Sequence, residues 1–536
     1  MKDILTNIIQ NALESLDINE DISIEIDKPK SKENGDYSTN IAMKLAKSLK
    51  RNPMEIAQSI IDHMGDTQIE KVELKSPGFI NFFIKKDYLF INLNEVLKEQ
   101  ENYGKSNIGK GKRYNIEFVS ANPTGILHLG NARGGAYGDS LARILTFCGY
   151  DVTKEYYIND AGNQINNLAL SIQARYYELC GKGSTMPENG YYGNDIKEIA
   201  KKIYDEQGNS YIDKELEYYK ELGIKELLAR IVDDLKEYRI EYDQFTSEKT
   251  ITEKYDVYDI IDKMREKGYI YKKDVATWFA CSKIFDDKDH VLIKEDGTIT
   301  YLVPDIAYHL DKYKRGYNKI IDILGTDHHG YVARLKSSVK AMDNDPDLLE
   351  VKLLQLVRLV ENGEVVKMSK RTGKTVTLKE LIDEVGVNAA RYFFSKYSLD
   401  TQMDFDLNQA KAKNNENPVY YVSYAYARIC SILKEKDNDE IMDNYNTLNN
   451  EDAYNVLEKI YEFKEVVQTA ALKELPHLIT QYVYDLATLF HLYYAKNRIL
   501  TNDEQATKEN INLIKAVKIT LYNGLNLIGV IPPEKM

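Results

Sequence analysis

The stretch from Glu117 to Arg133, EFVSANPTGILHLGNAR, constrains the chain to a strand, a turn and a helix in quick succession. A run ending in Phe118 and Val119 has the apolar character of a buried strand, and Asn122-Pro123-Thr124-Gly125 breaks it. His128-Leu129-Gly130-Asn131 then opens an amphipathic helix whose inward positions are Ala132, Ala136, Leu141 and Leu145. His128 and Asn131 thereby fall at the positive end of a helix dipole, at the tip of a strand, where α/β proteins bind nucleotide phosphates. By itself an H-x-G-N tetrapeptide is also what a capping histidine beside a glycine turn looks like.

A second segment changes that balance. Lys367-Met368-Ser369-Lys370-Arg371-Thr372-Gly373-Lys374 interleaves cations with Ser, Thr and Gly. Such a loop can close on polyphosphate, although a basic loop can also be no more than a solvated face.

Length and composition bound the rest. A chain of 536 residues is too long for one core, so roughly two to four domains are expected. No apolar run approaches the roughly 20 residues that span a bilayer, and the first residues lack a signal peptide's apolar core, which predicts a cytoplasmic address and no membrane partner. Cys148, Cys180, Cys281 and Cys430 are far apart without C-x-x-C spacing, so neither a disulfide framework nor a structural zinc is expected. The adjacent His328 and His329 bring no third ligand in a recognisable spacing, so no metal site is assigned there. Net charge is −13. Nucleic-acid binding would therefore depend on local patches that neutralise phosphates rather than on overall charge.

The element pattern predicts a multidomain chain. Residues 1–110 read as an N-terminal α+β domain. Residues 111–403 alternate strands and helices, with strands near Tyr114 to Val119, Val152 to Tyr157 and Lys319 to Leu324, as in a doubly wound, Rossmann-like parallel sheet. A charged, mainly helical insertion is expected at about 183–290, and residues 404–536 read as an all-α bundle.

Taken together, the two basic and histidine-bearing motifs resemble the paired signatures of class I aminoacyl-tRNA synthetases. SANPTGILHLGNARGG, EYYINDAGNQI, TYLVPDIAYH and GTDHHGYVARL resemble bacterial arginyl-tRNA synthetases, and the likeness runs through PVYYVSYAYARICSIL to the closing PPEKM. The resemblance implies ATP-dependent attachment of L-arginine to its cognate tRNA through an arginyl-adenylate, with release of pyrophosphate and AMP and transfer to the 2′-hydroxyl of the terminal adenosine. ATP, with Mg2+, is the implied cofactor, and the partners are arginine, its tRNA and no second subunit, the chain being expected as a monomer. His128, Gly130 and Asn131 would hold the nucleotide, and Lys367, Met368, Ser369 and Lys370 would meet the charge on departing pyrophosphate. Asn131 stands where the family usually has His, which leaves a hydrogen-bonding amide without charge. For arginine, motif matching carries over Glu117, Ser120, Asn122, His128, Tyr301, Asp305 and His328, with the Asp305 carboxylate pairing the guanidinium and Tyr301 beside it. A carboxylate following Pro304 is also a common helix cap. The N-terminal domain would contact the tRNA corner, and the helical domain would read the anticodon through Tyr420, Tyr424 and Arg428. Another class I synthetase would not need the Tyr301/Asp305 pair. A nucleotidylyltransferase outside the synthetases would not need the second basic loop or the C-terminal helices, and a noncatalytic RNA-binding relative would be expected to have lost one phosphate motif.

Overall fold

The computed structural model describes the whole chain except residues 21, 30, 66–68, 367–375 and 439, and the side chains of residues 3 and 32. The chain divides into two compact units, Met1–Glu95 with Ile441–Glu458, and Val96–Glu440 with Lys459–Met536.

In the first unit, helices Lys2–Ser15, Ile41–Leu49 and Pro53–Asp62 cover a three-stranded antiparallel sheet ordered Tyr37–Thr39, Phe79–Ile84, Ile69–Lys75. Leu5, Ile9, Leu45, Ile56, Ile60, Ile80 and Phe82 bury the apolar stripes that the periodic sequence creates. Asn52 accepts from the Met54 amide at 2.9 Å, capping the helix that Pro53 starts. Ile441–Glu458 belongs to this unit although its sequence reads as part of the C-terminal bundle, and Tyr445 stacks on Phe90 with ring centroids 5.4 Å apart.

The second unit is built on five parallel strands, β1 (Arg113–Glu117), β2 (Asp151–Ile158), β3 (Gln244–Ser247), β4 (Lys319–Gly325) and β5 (Leu349–Leu354), ordered β5-β4-β1-β2-β3. Strand order reverses between β1 and β4, the place where doubly wound sheets open a binding crevice. β3 falls inside the stretch expected to be a helical insertion, which also contributes an antiparallel sheet of Ile270–Lys273, Ala276–Phe279 and His290–Ile293. Short strands carry too little periodic signal to stand out among charged helices. Likewise Met403–Asp406 pairs in parallel with Val357–Glu361, so strand structure continues past the expected start of the bundle.

Helix α1 (Leu129–Phe147) follows β1 and lies directly on it. A Cβ at Gly138 would sit 2.3 Å from the Phe118 ring, so only glycine permits this approach. Register brings Glu117, the last residue of β1, beside Glu155 on one side and Asp322 on the other, a row of carboxylates across three neighbouring strands. Helix α2 (Leu302–Lys314) supplies the counter-charge through Lys312, and Arg315 beyond its end meets Glu155 at 2.9 Å. The C-terminal helices include Pro418–Glu435, Phe463–Leu472, His477–Lys496 and Glu504–Leu527. Among the described residues no helix is long and apolar enough to cross a membrane, and all four cysteines are free.

Candidate active site

At the end of β1 the backbone turns through Val119 (φ 68°) and Ser120 (φ 37°), left-handed values that cost a β-branched residue energy. The Tyr242 and Tyr156 hydroxyls hold this kink by donating to the carbonyls of Phe118 and Ala121 at 3.0 and 2.7 Å. It turns Ser120 back on the sheet, where Oγ donates to Glu117 Oε1 at 2.9 Å and accepts from the Tyr157 amide at 3.0 Å. Ser120 therefore braces the strand end.

The chain then enters α1 through His128, its N-cap. His128 Nδ1 accepts from the amides of Gly130 and Asn131 at 3.1 and 3.4 Å, while Asn131 Oδ1 accepts from the His128 amide at 3.0 Å. The sequence assigns Asn131 to phosphate; here its carbonyl oxygen closes a capping box, a role open to a short amide at the third helical position. An imidazole that accepts at Nδ1 carries its proton on Nε2, which leaves Nε2–H as the donor. Burial holds the His128 pKa below the ordinary histidine value, with Asp327 opposing it, so the ring is neutral at physiological pH. A Cβ at Gly130 would lie 2.9 Å from His128 Cε1, so any larger residue there would have to displace the histidine ring.

These residues line a cavity of about 980 Å³ at the β1/β4 crevice. Glu117, Ser120, Asn122, His128, Gly130, Asn131, Asp305 and His328 all contribute to its wall. Asn122 Nδ2 donates to Gln164 at 2.7 Å. Lys367, Met368, Ser369 and Lys370 lie outside the described residues, but Val365 and Val366 before them and Val376 after them line the same cavity. Thr377 bridges to His128, and the Leu378 amide donates to the Leu127 carbonyl at 2.8 Å, so the chain at Thr377 and Leu378 is stitched to the turn that opens α1.

Asp305 occupies the first turn of α2, and one of its carboxylate oxygens accepts from the Tyr331 hydroxyl. Burial pushes its carboxyl up, while His309 and Tyr331 act to lower it; the net shift is upward. Tyr301 stands apart. It is the N-cap of α2, is 65% exposed, lies toward Gly162 and does not share the cavity wall with Asp305. Four-residue spacing aligns side chains only inside a helix, and Tyr301 is still at its margin. Glu117 is a buried partner of Lys312 and Tyr308 at 2.5 and 2.8 Å. Burial raises its carboxyl, against the pull of Lys312.

The sequence reading misses Glu248. This buried carboxylate accepts from the Tyr157 hydroxyl at 3.0 Å and is raised by burial, with Asp305 adding to the rise, which makes it a second acid near the same wall. No local motif marks it; only the packing of β3 brings it there. Also unforeseen, Cys281, Asp286 and His290 bring ligand atoms within 4.8 Å of one another among the described residues. Asp286 and His290 already pair at 2.9 Å, and burial raises the Cys281 thiol, so this cluster is satisfied as it stands.

On the C-terminal helices, Tyr420, Tyr424 and Arg428 follow one another at four-residue spacing along Pro418–Glu435. Tyr420 and Tyr424 are nearly parallel with centroids 6.4 Å apart, Tyr424 is 45% exposed, and Arg428 Nε donates to the Tyr494 hydroxyl at 2.9 Å. Tyr426, on the other face, is buried.

Three family models match along the chain: "Arginyl tRNA synthetase N terminal domain" over residues 3–84, "tRNA synthetases class I (R), catalytic domain" over 92–410, and "DALR anticodon binding domain" over 422–536. The arginine–tRNA ligases of Bacillus licheniformis and Bacillus subtilis are 48% and 46% identical to it, each covering 100% of this chain and 99% of the relative. The arginyl-tRNA synthetase structure of Thermus thermophilus superposes with a TM-score of 0.78 at 20% identity, covering 100% of both chains. A catalytic-domain match over more than half of the chain, with relatives alike from end to end, means that this protein belongs to the arginyl-tRNA synthetase family of class I.

Proposed function

We propose that the cavity at the β1/β4 crevice is where this chain activates arginine with ATP before attaching it to tRNA. The observation that carries the reading is that one wall joins the amino end of α1 to the half-buried Asp305 carboxylate. The first suits phosphate and the second suits a guanidinium. Activation is an in-line attack of the arginine carboxylate on the α-phosphorus of ATP, so the protein contributes position and charge neutralisation. His128, through Nε2–H, and the backbone near Gly130 hold the phosphates, and Asn131 keeps His128 in place. Lys367 and Lys370, with Met368 and Ser369 between them, neutralise departing pyrophosphate. Mg2+ enters with the nucleotide as part of the substrate, and no protein ligand is assigned to it.

Asp305 takes the guanidinium, with His328 near it and Glu248 as the nearby second acid, and Asn122 and His128 meet the α-amino and carboxylate end of the amino acid. Glu117 and Ser120 shape the wall without a free carboxylate to offer. The Tyr420–Tyr424–Arg428 strip, with Tyr494 beside it, suits unstacked anticodon bases, since ring faces and a guanidinium plane accept any base. Residues 1–110, 111–403 and 404–536 are read as tRNA-contacting, catalytic and anticodon-binding domains. The working unit is read as a monomer, and charging tRNA implies a cytoplasmic site of action. The test is a charging assay with purified tRNA pools and arginine, lysine or glutamate in turn: only arginine is expected to be attached, and equal charging with lysine would defeat the assignment of Asp305.

A further inference from the structure

The oxygens beneath the cavity leave one histidine no place for a ring lone pair. Helix α2 sends Asp305, Tyr308, His309 and Lys312 toward the carboxyl ends of β1 and β4, with the spacing of a single helix face. Lys312 Nζ lies 2.5 Å from Glu117 Oε2 and 2.7 Å from Asp322 Oδ1. His309 Nε2 lies 2.7 Å from Asp322 Oδ2, and Nδ1 lies 2.8 Å from the Asp305 carbonyl oxygen. Both ring nitrogens thus face oxygen acceptors, and a neutral imidazole would aim a lone pair at one of them. With both nitrogens protonated, His309 and Lys312 answer Glu117 and Asp322, and Arg315 answers Glu155. Asp305 then pairs with none of these cations, and it faces the cavity.

We propose that His309 is a positioning residue for arginine recognition: a doubly donating imidazolium that fixes the first turn of α2 through the Asp305 carbonyl and keeps the Asp305 carboxylate ionised for a cationic side chain. This rests on the reading of Asp305 as the guanidinium's partner. The groups facing His309 agree with it. Burial would lower the ring's pKa, but Asp322 on β4 and Asp305 on its own helix outweigh burial and Lys312, and the net shift is upward. Burial likewise would raise Asp322, yet Lys312 and His309 hold it well below the carboxylate range.

The experiment uses the full chain with tRNA present and compares wild type with His309→Gln, which keeps an amide donor toward Asp322 but no charge. The arginine KM is expected to rise about 10- to 100-fold, within the range for losing a charge beside a buried recognition pair. The ATP KM should stay within about twofold, and the acidic limb of kcat/KM for arginine should move to higher pH. An unmoved limb with an unchanged arginine KM overturns the proposal, as does an equal rise in both KM values. Asp305→Asn separates the two levels: if it raises the arginine KM and His309→Gln does not, only the role of His309 falls. Should His309→Gln fail to fold, nitrogen-15 spectra of the histidine rings decide, taken in a His290→Asn background because His290 also contacts a carboxylate, Asp286. One ring is expected to keep both protons at about pH 8, well above the ordinary histidine value of about 6.5; none doing so overturns the proposal.

Discussion

Replacing Asp305 by Asn leaves volume almost unchanged and removes one charge, which makes it the sharpest probe of amino-acid selection. One carboxylate oxygen already accepts from the Tyr331 hydroxyl. In the variant the amide oxygen stays with that donor, and the amide nitrogen turns toward the guanidinium, donor against donor. Truncating one partner of a desolvated charge pair costs about 2–5 kcal/mol, and the opposed donors favour the middle of that range over its low end. A loss of about 3–4 kcal/mol corresponds to roughly 100- to 1000-fold in kcat/KM for arginine. Most of it should fall on KM, because the guanidinium is bound in ground and transition states alike. The assay is ATP–pyrophosphate exchange with tRNA present, titrating arginine at saturating ATP and then ATP at saturating arginine. The ATP KM should barely change, and discrimination against neutral citrulline should shrink. An arginine KM within about threefold of wild type, at unchanged kcat, would reduce Asp305 to a first-turn acid held by Tyr331 and send the search to Glu248.

Three further outcomes are expected. Lys370→Ala should slow activation by roughly 100- to 1000-fold with little change in arginine affinity, because its partner charge develops only as pyrophosphate leaves; near-normal exchange in the presence of tRNA would remove it from the mechanism. Asn131→Ala should cost about 0.5–2 kcal/mol in a denaturant titration by opening the capping box, and should impair exchange more than Asn131→His; identical stability and kinetics in all three proteins would make Asn131 a bystander. The His128 cap is pH-sensitive with a defined sign: its folded pKa lies below the unfolded value of about 6.5. Its stabilisation is therefore present above pH 6.5 and lost as pH falls through the folded pKa, when Nδ1 can no longer accept. Wild type should lose stability relative to His128→Asn, whose cap does not titrate, between about pH 7.5 and pH 5, and parallel unfolding curves at both ends would refute this.

Features fixed by near neighbours in the chain were readable from the sequence. The strand–turn–helix at Glu117 to Arg133, the strands near Val152 and Lys319, and the helical character of the last hundred or so residues follow from local periodicity and turn chemistry. The sharing of one wall by His128 and Asp305 was expected only from the resemblance, which assigns both to arginine. Roles that depend on distant partners were not readable. Glu117 looks like a free acid until Lys312, far along the chain, takes its carboxylate. Asn131 looks like a substitute for a phosphate ligand until its oxygen is seen on the His128 amide. Glu248 carries no signature because its place is set by β3, a strand too short to announce itself.

The row of carboxylates across β2, β1 and β4 has a consequence for assembly of the site. Glu155, Glu117 and Asp322 cannot be brought side by side in a closing sheet while unneutralised, since like charges directly opposite one another repel. Their cations, Lys312 and Arg315, arrive only with α2 and the residue just beyond it. The central strands and α2 should therefore open as one cooperative unit, with amide exchange from Ile116, Asp322 and Ile306 proceeding through a common opening. Asp305, the proposed specificity acid, rides on that same helix, so the proposed amino-acid pocket should form in the step that closes the central sheet, and a molecule with a loosened pocket should also be one whose fold has begun to open.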